Sequence, residues 1–249
     1  MNRPSDPSPD AALRERIRCI TFDLDDTLWE CKPVIRRAER TFYDWLQRHY
    51  PQVTARYGYE ALIESRIAHM RAHQHQAFDL TRLRKHWLKK IADECGADDD
   101  LVETGFQIFW EARNRVALFD GVRETLLLLK RHFILGSMTN GNADIHRVGL
   151  GDCFHFSVTS AEAGAAKPEK AIFELASAKA GVPLDETLHV GDDSDRDVIG
   201  ALDSGALAAW VAPEPRPSWP HPRRPHFVIP HVGALPALLL PRQCAVTGN

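Results

Sequence analysis

The stretch Ile17-Arg18-Cys19-Ile20-Thr21-Phe22-Asp23-Leu24-Asp25-Asp26-Thr27-Leu28 decides the fold. Its first six residues lean apolar, the pattern of a strand buried on both faces of a parallel sheet. Asp23 and Asp25 therefore emerge where that strand ends. In an open α/β sheet, ligands bind in the crevice beyond the carboxyl ends of the strands, so acids delivered there are placed for chemistry. The competing reading is an acidic turn that caps a helix, since Asp and Thr are good turn and N-cap residues. Asp26 fits that structural role.

Three further segments favour the first reading. His132-Phe133-Ile134-Leu135-Gly136-Ser137-Met138 reads as a second strand and ends in Thr139-Asn140-Gly141, which brings a hydroxyl, an amide and a flexible backbone to the same sheet edge. Lys167-Pro168 precedes an amphipathic run from Ala171 to Ala180. With Pro168 at the first helical position, Lys167 is expected beside a helix N-terminus, where anions are favoured. Thr187-Leu188-His189-Val190 is a short strand that breaks into Gly191-Asp192-Asp193-Ser194-Asp195-Arg196-Asp197, a second acidic cluster at a strand exit.

Between the first two strand ends lie about a hundred residues with helical periodicity. Val34 to Tyr50, Glu60 to Gln76, Thr81 to Cys95 and Leu101 to Leu118 place apolar or aromatic residues three and four apart, so each has one face to bury. Strands are expected again near 155–158, 188–190 and 207–211, with helices at 168–180 and 195–204 between them. That alternation argues for a parallel sheet. The proline-dense 213–225 reads as an extended loop, 227–229 as an edge strand and 232–240 as a closing helix. Residues 1–16 are expected as a disordered tail, 17–30 and 119–240 as an α/β core, 31–118 as an inserted helical unit, and 241–249 as a C-terminal tail.

A chain of 249 residues with 44% hydrophobic content buries a sizeable core. Its 31 basic and 34 acidic residues give a formal charge of −3, which supplies no global field for nucleic acid or an anionic membrane. A small-molecule partner fits better, with the chain a monomer or homodimer. Cys19, Cys31, Cys95, Cys153 and Cys244 are scattered and form no C-x-x-C pair, so they read as reduced thiols of a cytoplasmic protein. No apolar run approaches the ~20 residues needed to cross a bilayer.

The order DxDxT, T-N-G, K-P, G-D-x-x-x-x-D resembles the haloacid dehalogenase superfamily of phosphohydrolases over residues 17 to about 211. The segments around Phe22 to Leu28, Thr139 to Asn142 and Leu188 to Asp193 are similar to bacterial flavin mononucleotide and riboflavin-pathway phosphatases. This resemblance implies a Rossmann-like parallel-sheet core with an inserted α-helical cap. It also implies a magnesium-dependent phosphatase acting on a small phosphorylated metabolite, such as flavin mononucleotide or a ribityl phosphate, through an aspartyl-phosphate. Asp23 is then the nucleophile, and Asp25 protonates the leaving group and later deprotonates water. Asp23, Asp192 and the backbone carbonyl of Asp25 hold Mg2+. Thr139 and Lys167 bind the phosphoryl oxygens, Asn140 is a further substrate-binding residue, and Asp197 orients the metal's water or Lys167. The physics requires such a cation, because a carboxylate ~4 Å from a phosphate charge is repelled by ~4 kcal/mol at an effective dielectric of ~20. Many relatives have serine where Asp193 stands, which leaves Asp193 and Asp195 open between function and a helix cap.

Two other readings share the motif order. A 2-haloacid dehalogenase needs the nucleophilic Asp but neither a leaving-group acid nor a metal, which Asp25 and Asp192 weigh against. A catalytically inactive binding module would have no use for Asp23, Asp25, Thr139, Lys167 and Asp192 together. Outside the motifs, His69 and His73, with His75 nearby, have ligand spacing but no partner in sequence to complete a metal site. They read as a solvated or packed helix. Arg36, Arg37, Arg82, Arg84, Lys85, Lys89 and Lys90 read as a wet helix face, and Trp29 as a packing aromatic near the hinge.

Overall fold

A computed structural model describes residues 9–213, 215 and 217–241 of the chain. In chain order the elements are α1 (Pro9–Arg16), β1 (Cys19–Phe22), α2 (Cys31–His49), α3 (Pro51–Arg56), α4 (Tyr59–Ala72), α5 (Leu80–Cys95), α6 (Asp100–Arg113) and α7 (Val122–Lys130). There follow β2 (Ile134–Thr139), β3 (Phe156–Thr159), α8 (Ser160–Ala163), α9 (Lys170–Ala180), β4 (Thr187–Gly191), α10 (Gly200–Ser204), β5 (Leu207–Val211), β6 (Phe227–Ile229) and α11 (Leu235–Leu239). The six strands form one parallel sheet in the order β3-β2-β1-β4-β5-β6.

Both faces of the sheet are covered, and each strand feeds them alternately, as a period of two demands. Along β5, Leu207, Ala209 and Val211 join one apolar cluster with Phe22, Leu126, Leu135 and Phe154. Ala208 and Trp210 join the other with Met138, Ile172, Phe173 and Val198. Phe22 pairs with Ser137 on one side and Val190 on the other. The residues that follow β1, β2 and β4 thus leave the sheet at one edge, and this register brings the acids together. This is an α/β Rossmann-like architecture.

Between β1 and β2 the chain forms α2 to α6, which bury a separate cluster containing Phe42, Trp45, Leu46, Trp87, Leu88, Ile91 and Phe109. Within it the buried Glu39 takes a bidentate pair from Arg84 at 2.9 and 2.8 Å, and Arg66 Nε lies 3.1 Å from Glu39 Oε1. Arg84 is therefore no part of a wet face, because its charge ties α5 to α2.

Several boundaries differ from expectation, each for a local reason. Residues 9–16, expected within a disordered tail, form α1, and Leu13 packs against the core; residues 1–8 and 242–249 lie outside the described residues. The last helix of the inserted unit, α6, ends at Arg113 and not at the expected Leu118, because Asn114 turns the chain and accepts the Asp144 N–H at 2.8 Å, and Leu118 pairs antiparallel with Trp29. Pro168 follows a cis bond and precedes the helix, which starts at Lys170. Ser194–Ile199 is a π-helical turn running into α10. Among the described residues, no helix is long and apolar enough to cross a membrane.

The Glu39 cluster yields a stability prediction. Glu39→Gln leaves Arg84 buried without its counter-charge and should cost about 3–5 kcal/mol in urea unfolding. Burial alone would raise the Glu39 carboxyl, but Arg84 and then Arg66 outweigh it and hold the group below the usual carboxylate range. A depressed pKa contributes stability above the unfolded value of about 4.3, and this is lost as pH falls through the folded value. The gap between parent and variant should accordingly narrow below about pH 4.

Candidate active site

The sheet edge collects Asp23 and Asp25 from the exit of β1, Thr139 from the end of β2, Lys167 from the loop before α9, and Asp192 and Asp197 from the segment after β4. Lys167 is the centre of the arrangement. Its buried ammonium spends all three protons at once, on Asp23 Oδ1 at 2.5 Å, Asp197 Oδ1 at 2.7 Å and the Met138 carbonyl at 3.0 Å. Burial alone would lower the Lys167 pKa, but Asp197 and Asp23 hold it above lysine's ordinary value.

Asp197 is supported in turn. Its Oδ1 also meets His189 Nε2 at 3.1 Å, its Oδ2 accepts the Asp193 N–H at 3.0 Å, and His189 Nδ1 reaches the Thr21 hydroxyl at 2.9 Å. Lys167 and His189 outweigh burial and hold the Asp197 carboxyl below the usual range. His189 is kept low by burial despite that acid. Gly191 makes room for this network: a Cβ there would stand 2.3 Å from Asp197 Cγ, an impossible contact.

Asn140, expected to bind substrate, is committed elsewhere. Its Oδ1 accepts the Lys167 N–H at 2.7 Å and its Nδ2 donates to the Lys167 carbonyl at 2.9 Å, so it holds the lysine's backbone. Thr139 Oγ1 accepts the Gly141 N–H at 2.9 Å, which leaves its own proton free to donate. Asp193 caps the following turn, accepting from the N–H groups of Asp195 and Arg196 at 2.9 and 2.8 Å. Asp26, at φ 60°, accepts the Cys31 N–H that opens α2.

Asp25 has two side-chain partners. Trp29 Nε1 donates to its Oδ1 at 2.9 Å, and Arg113 donates to its Oδ2 at 2.5 Å. Arg113 closes α6, is itself buried, and was not among the expected site residues; only its place as the last residue of an apolar helix before the return to the sheet marks it in the sequence. Asp25, Arg113 and Gly141 form one wall of a cavity of about 260 Å³ whose other walls include Ile35, Arg66 and Phe109.

A metal is tested by the charge balance. Ligand atoms of Asp23, Asp192 and Asp197 lie within 4.8 Å of one another, with Lys167 beside two of them. Burial, then the charge of Asp197, pushes the Asp192 pKa up to about 7 against the Thr27 hydroxyl that donates to it at 3.0 Å. Asp23 is raised by burial, with Lys167 opposing and Asp197 and Asp192 adding to the rise. One ammonium leaves three carboxylates with surplus negative charge, and all donors are hard oxygens. The set fits a magnesium-class cation held by Asp23 and Asp192.

Residues 17–205 match the family model described as haloacid dehalogenase-like hydrolase. The chain belongs to this family and is a hydrolase. It is 34% identical to 5-amino-6-(5-phospho-D-ribitylamino)uracil phosphatase YigB of Escherichia coli over 90% of this chain and 97% of that protein. It is 28% identical to human N-acylneuraminate-9-phosphatase over 93% and 97% of the two chains. Among solved structures, one named as a 2-haloacid dehalogenase from Pseudomonas syringae aligns with a TM-score of 0.83 at 35% identity, covering 90% of this chain and 98% of that one.

The Arg113 contact gives a second prediction. Arg113→Met should lower kcat by ~100-fold, the scale of an ångström's misplacement of a reacting group, and leave the magnesium activation constant unchanged. Arg113→Lys should recover part of the loss. Equal loss in kcat and in magnesium affinity would show that Arg113 maintains the whole site and not Asp25.

Proposed function

We propose that the protein is a magnesium-dependent phosphatase that hydrolyses a small phosphorylated metabolite through an aspartyl-phosphate on Asp23, with α2 to α6 acting as its cap. The observation that carries this reading is the buried Lys167 ammonium at 2.5 Å from Asp23, with Asp25 two residues further on and oriented from both sides. Lys167 engages Oδ1 of Asp23, which leaves Oδ2 to attack phosphorus. Asp25 must first take a proton, which it then gives to the departing alkoxide, and it recovers one from the water that cleaves the acyl-phosphate. The positive charge of Lys167, whose protons stay with Asp23, Asp197 and the Met138 carbonyl, and the Thr139 hydroxyl proton offset the charge on the phosphoryl oxygens as it develops. Magnesium, when bound, supplies further positive charge there and removes the repulsion between Asp23 and the incoming phosphate.

The cavity next to Asp25 is near the lower end of the ~300–1,000 Å³ of small-molecule sites, which suits a compact metabolite. Full-length similarity to the E. coli enzyme makes a ribityl phosphate of the riboflavin pathway, or flavin mononucleotide, the substrate to test first. The name of the Pseudomonas structure supports 2-haloacid dehalogenation as a second reading. That chemistry has no use for a leaving-group acid held like Asp25 or for the Asp192 carboxylate.

Two experiments separate the readings. Phosphatase activity should vanish in excess chelator and return with magnesium, and Asp192→Ala should raise the magnesium requirement or abolish activity. Undiminished hydrolysis in chelator, or chloride release from 2-chloropropionate without phosphate release from any ester, would revive the dehalogenase.

The second experiment uses leaving groups. Asp23→Asn should cost several orders of magnitude with every substrate. Asp25→Asn should fail with a ribityl phosphate, whose alkoxide needs a proton. With p-nitrophenyl phosphate it should give a stoichiometric burst of p-nitrophenol and a slow second phase, since the phenolate leaves unaided. Equal slowing of both substrates without a burst would remove the acid/base assignment from Asp25.

A further inference from the structure

His69 and His73 lie one turn apart at the end of α4, and the fold brings to them a third imidazole that their own helix does not contain. His86, on α5, stands with its ring centroid 4.9 Å from that of His69 and 5.2 Å from that of His73, while the His69 and His73 rings are 4.2 Å apart. Each can offer a ring nitrogen such that the three lie within 4.8 Å of one another. The helical unit thus carries a cluster of nitrogen donors separate from the carboxylates at the sheet edge.

Two features point to a ligand. His69 is only 7% exposed, and its Nε2 is buried with no hydrogen-bond partner among the described residues. An unsatisfied buried nitrogen is costly, and a metal ion would satisfy it. His73 Nδ1 lies 2.8 Å from the His69 carbonyl, which fixes Nδ1 as the protonated nitrogen and leaves the Nε2 lone pair free. That arrangement, with one ring nitrogen donating to a backbone carbonyl, is the usual support of a metal-bound imidazole.

We propose that His69, His73 and His86 form a second metal site, selective for a borderline divalent transition metal of the zinc class, that clamps the end of α4 to α5. Imidazole suits zinc, copper and nickel, whereas magnesium demands oxygen donors, so the two sites sort metals by donor type. Zn–N bonds of about 2.0–2.1 Å place tetrahedral ligands roughly 3.4 Å apart, so the rings close by up to roughly 1.4 Å around an ion. The exposed His86 and half-exposed His73 have the rotamer freedom for this, and a water completes the shell from solvent.

The clamp would also reach the cavity. Arg66 and Met70, on the same turns of α4 as His69, line its wall, and Arg66 Nη1 contacts Met70 Sδ at 3.1 Å. Elsewhere α4 is held by Leu62, its only other buried residue, by Ser65, which accepts from Trp87 Nε1 at 3.2 Å, and by Arg66 beside Glu39, so the clamp would extend this anchoring past the last of these contacts to the end of the helix.

The test is zinc binding to the full chain, stripped with chelator and then held in excess magnesium so that the carboxylate site is filled. Competition with a chromophoric chelator should show one zinc bound per chain, with a rise in melting temperature. His73→Gln and His86→Gln should each weaken zinc at least tenfold and abolish that rise, while their metal-free melting temperatures match the parent's. Asp192→Ala should leave the zinc affinity intact. Zinc affinity unchanged in both histidine variants, loss of zinc in Asp192→Ala, or no thermal response of the parent to zinc would overturn the proposal.

Discussion

The site rests on one buried ammonium. Lys167 is enclosed at the end of the sheet, and its desolvation would be prohibitive without the carboxylates of Asp23 and Asp197 on either side. The dependence is mutual, because each acid is also buried and the lysine is the neighbouring cation for both. Removal of any member strands a charge in low dielectric, where an unpaired ion costs several kcal/mol. The rest of the edge serves this group: Asn140 fixes the lysine backbone, His189 and Thr21 support Asp197 from beneath, and Gly191 keeps the space open.

A second dependence runs from the inserted helices to the chemistry. Arg113 is the last residue of α6, yet it grips Asp25 at the end of β1. Trp110, one turn earlier, donates to the Asn142 carbonyl at 2.9 Å, and Ser160 at the start of α8 donates to the Phe78 carbonyl just before α5 at 2.6 Å. These contacts join the helical unit to the sheet edge through polar groups, while Val34 of α2 packs in the apolar cluster on one face of the sheet. The junction therefore includes directional bonds that a shift of the helices would break. If α2 to α6 act as the proposed cap, a junction of that kind would let them move to admit and release substrate.

The parts of the fold visible in the sequence share a physical cause. Parallel strands buried on both faces write themselves as apolar runs, and the ligand crevice lies at their carboxyl ends, so β1, β2 and β4 with Asp23, Thr139 and Asp192 could be read without coordinates. What stayed hidden depends on distance along the chain. Nothing near Asp25 in sequence names Arg113 as its partner, and nothing near His69 names His86. For Asn140 a motif gives a side chain's position and not its direction: both atoms of the amide are hydrogen-bonded to the Lys167 backbone. Arg84 was misread for a related reason, since helical periodicity marks it as polar and only the packing of α2 on α5 reveals the carboxylate waiting for it.

The separation of donor types has a consequence for how the chain sorts ions. Asp23, Asp192 and Asp197 crowd more negative charge than Lys167 neutralises, and burial with mutual repulsion lifts the Asp192 pKa to about 7. That strain is relieved best by a small, strongly charged cation with oxygen affinity, and the price of leaving it unrelieved is a protonated site. The histidine cluster carries no formal charge when neutral, so it attracts no hard cation and offers its lone pairs to a softer one. A zinc-class ion would still find carboxylates acceptable ligands, since zinc accepts oxygen donors as well as nitrogen. Three imidazoles on the helical unit would take up one such ion per chain on nitrogen donors, and the carboxylates would bind a further one only as the free ion rises towards their own affinity for it. On the proposed reading the chain would pair a charge-rich oxygen site at the sheet edge with a charge-poor nitrogen site where α4 meets α5, a difference that follows from which residues the fold brings together.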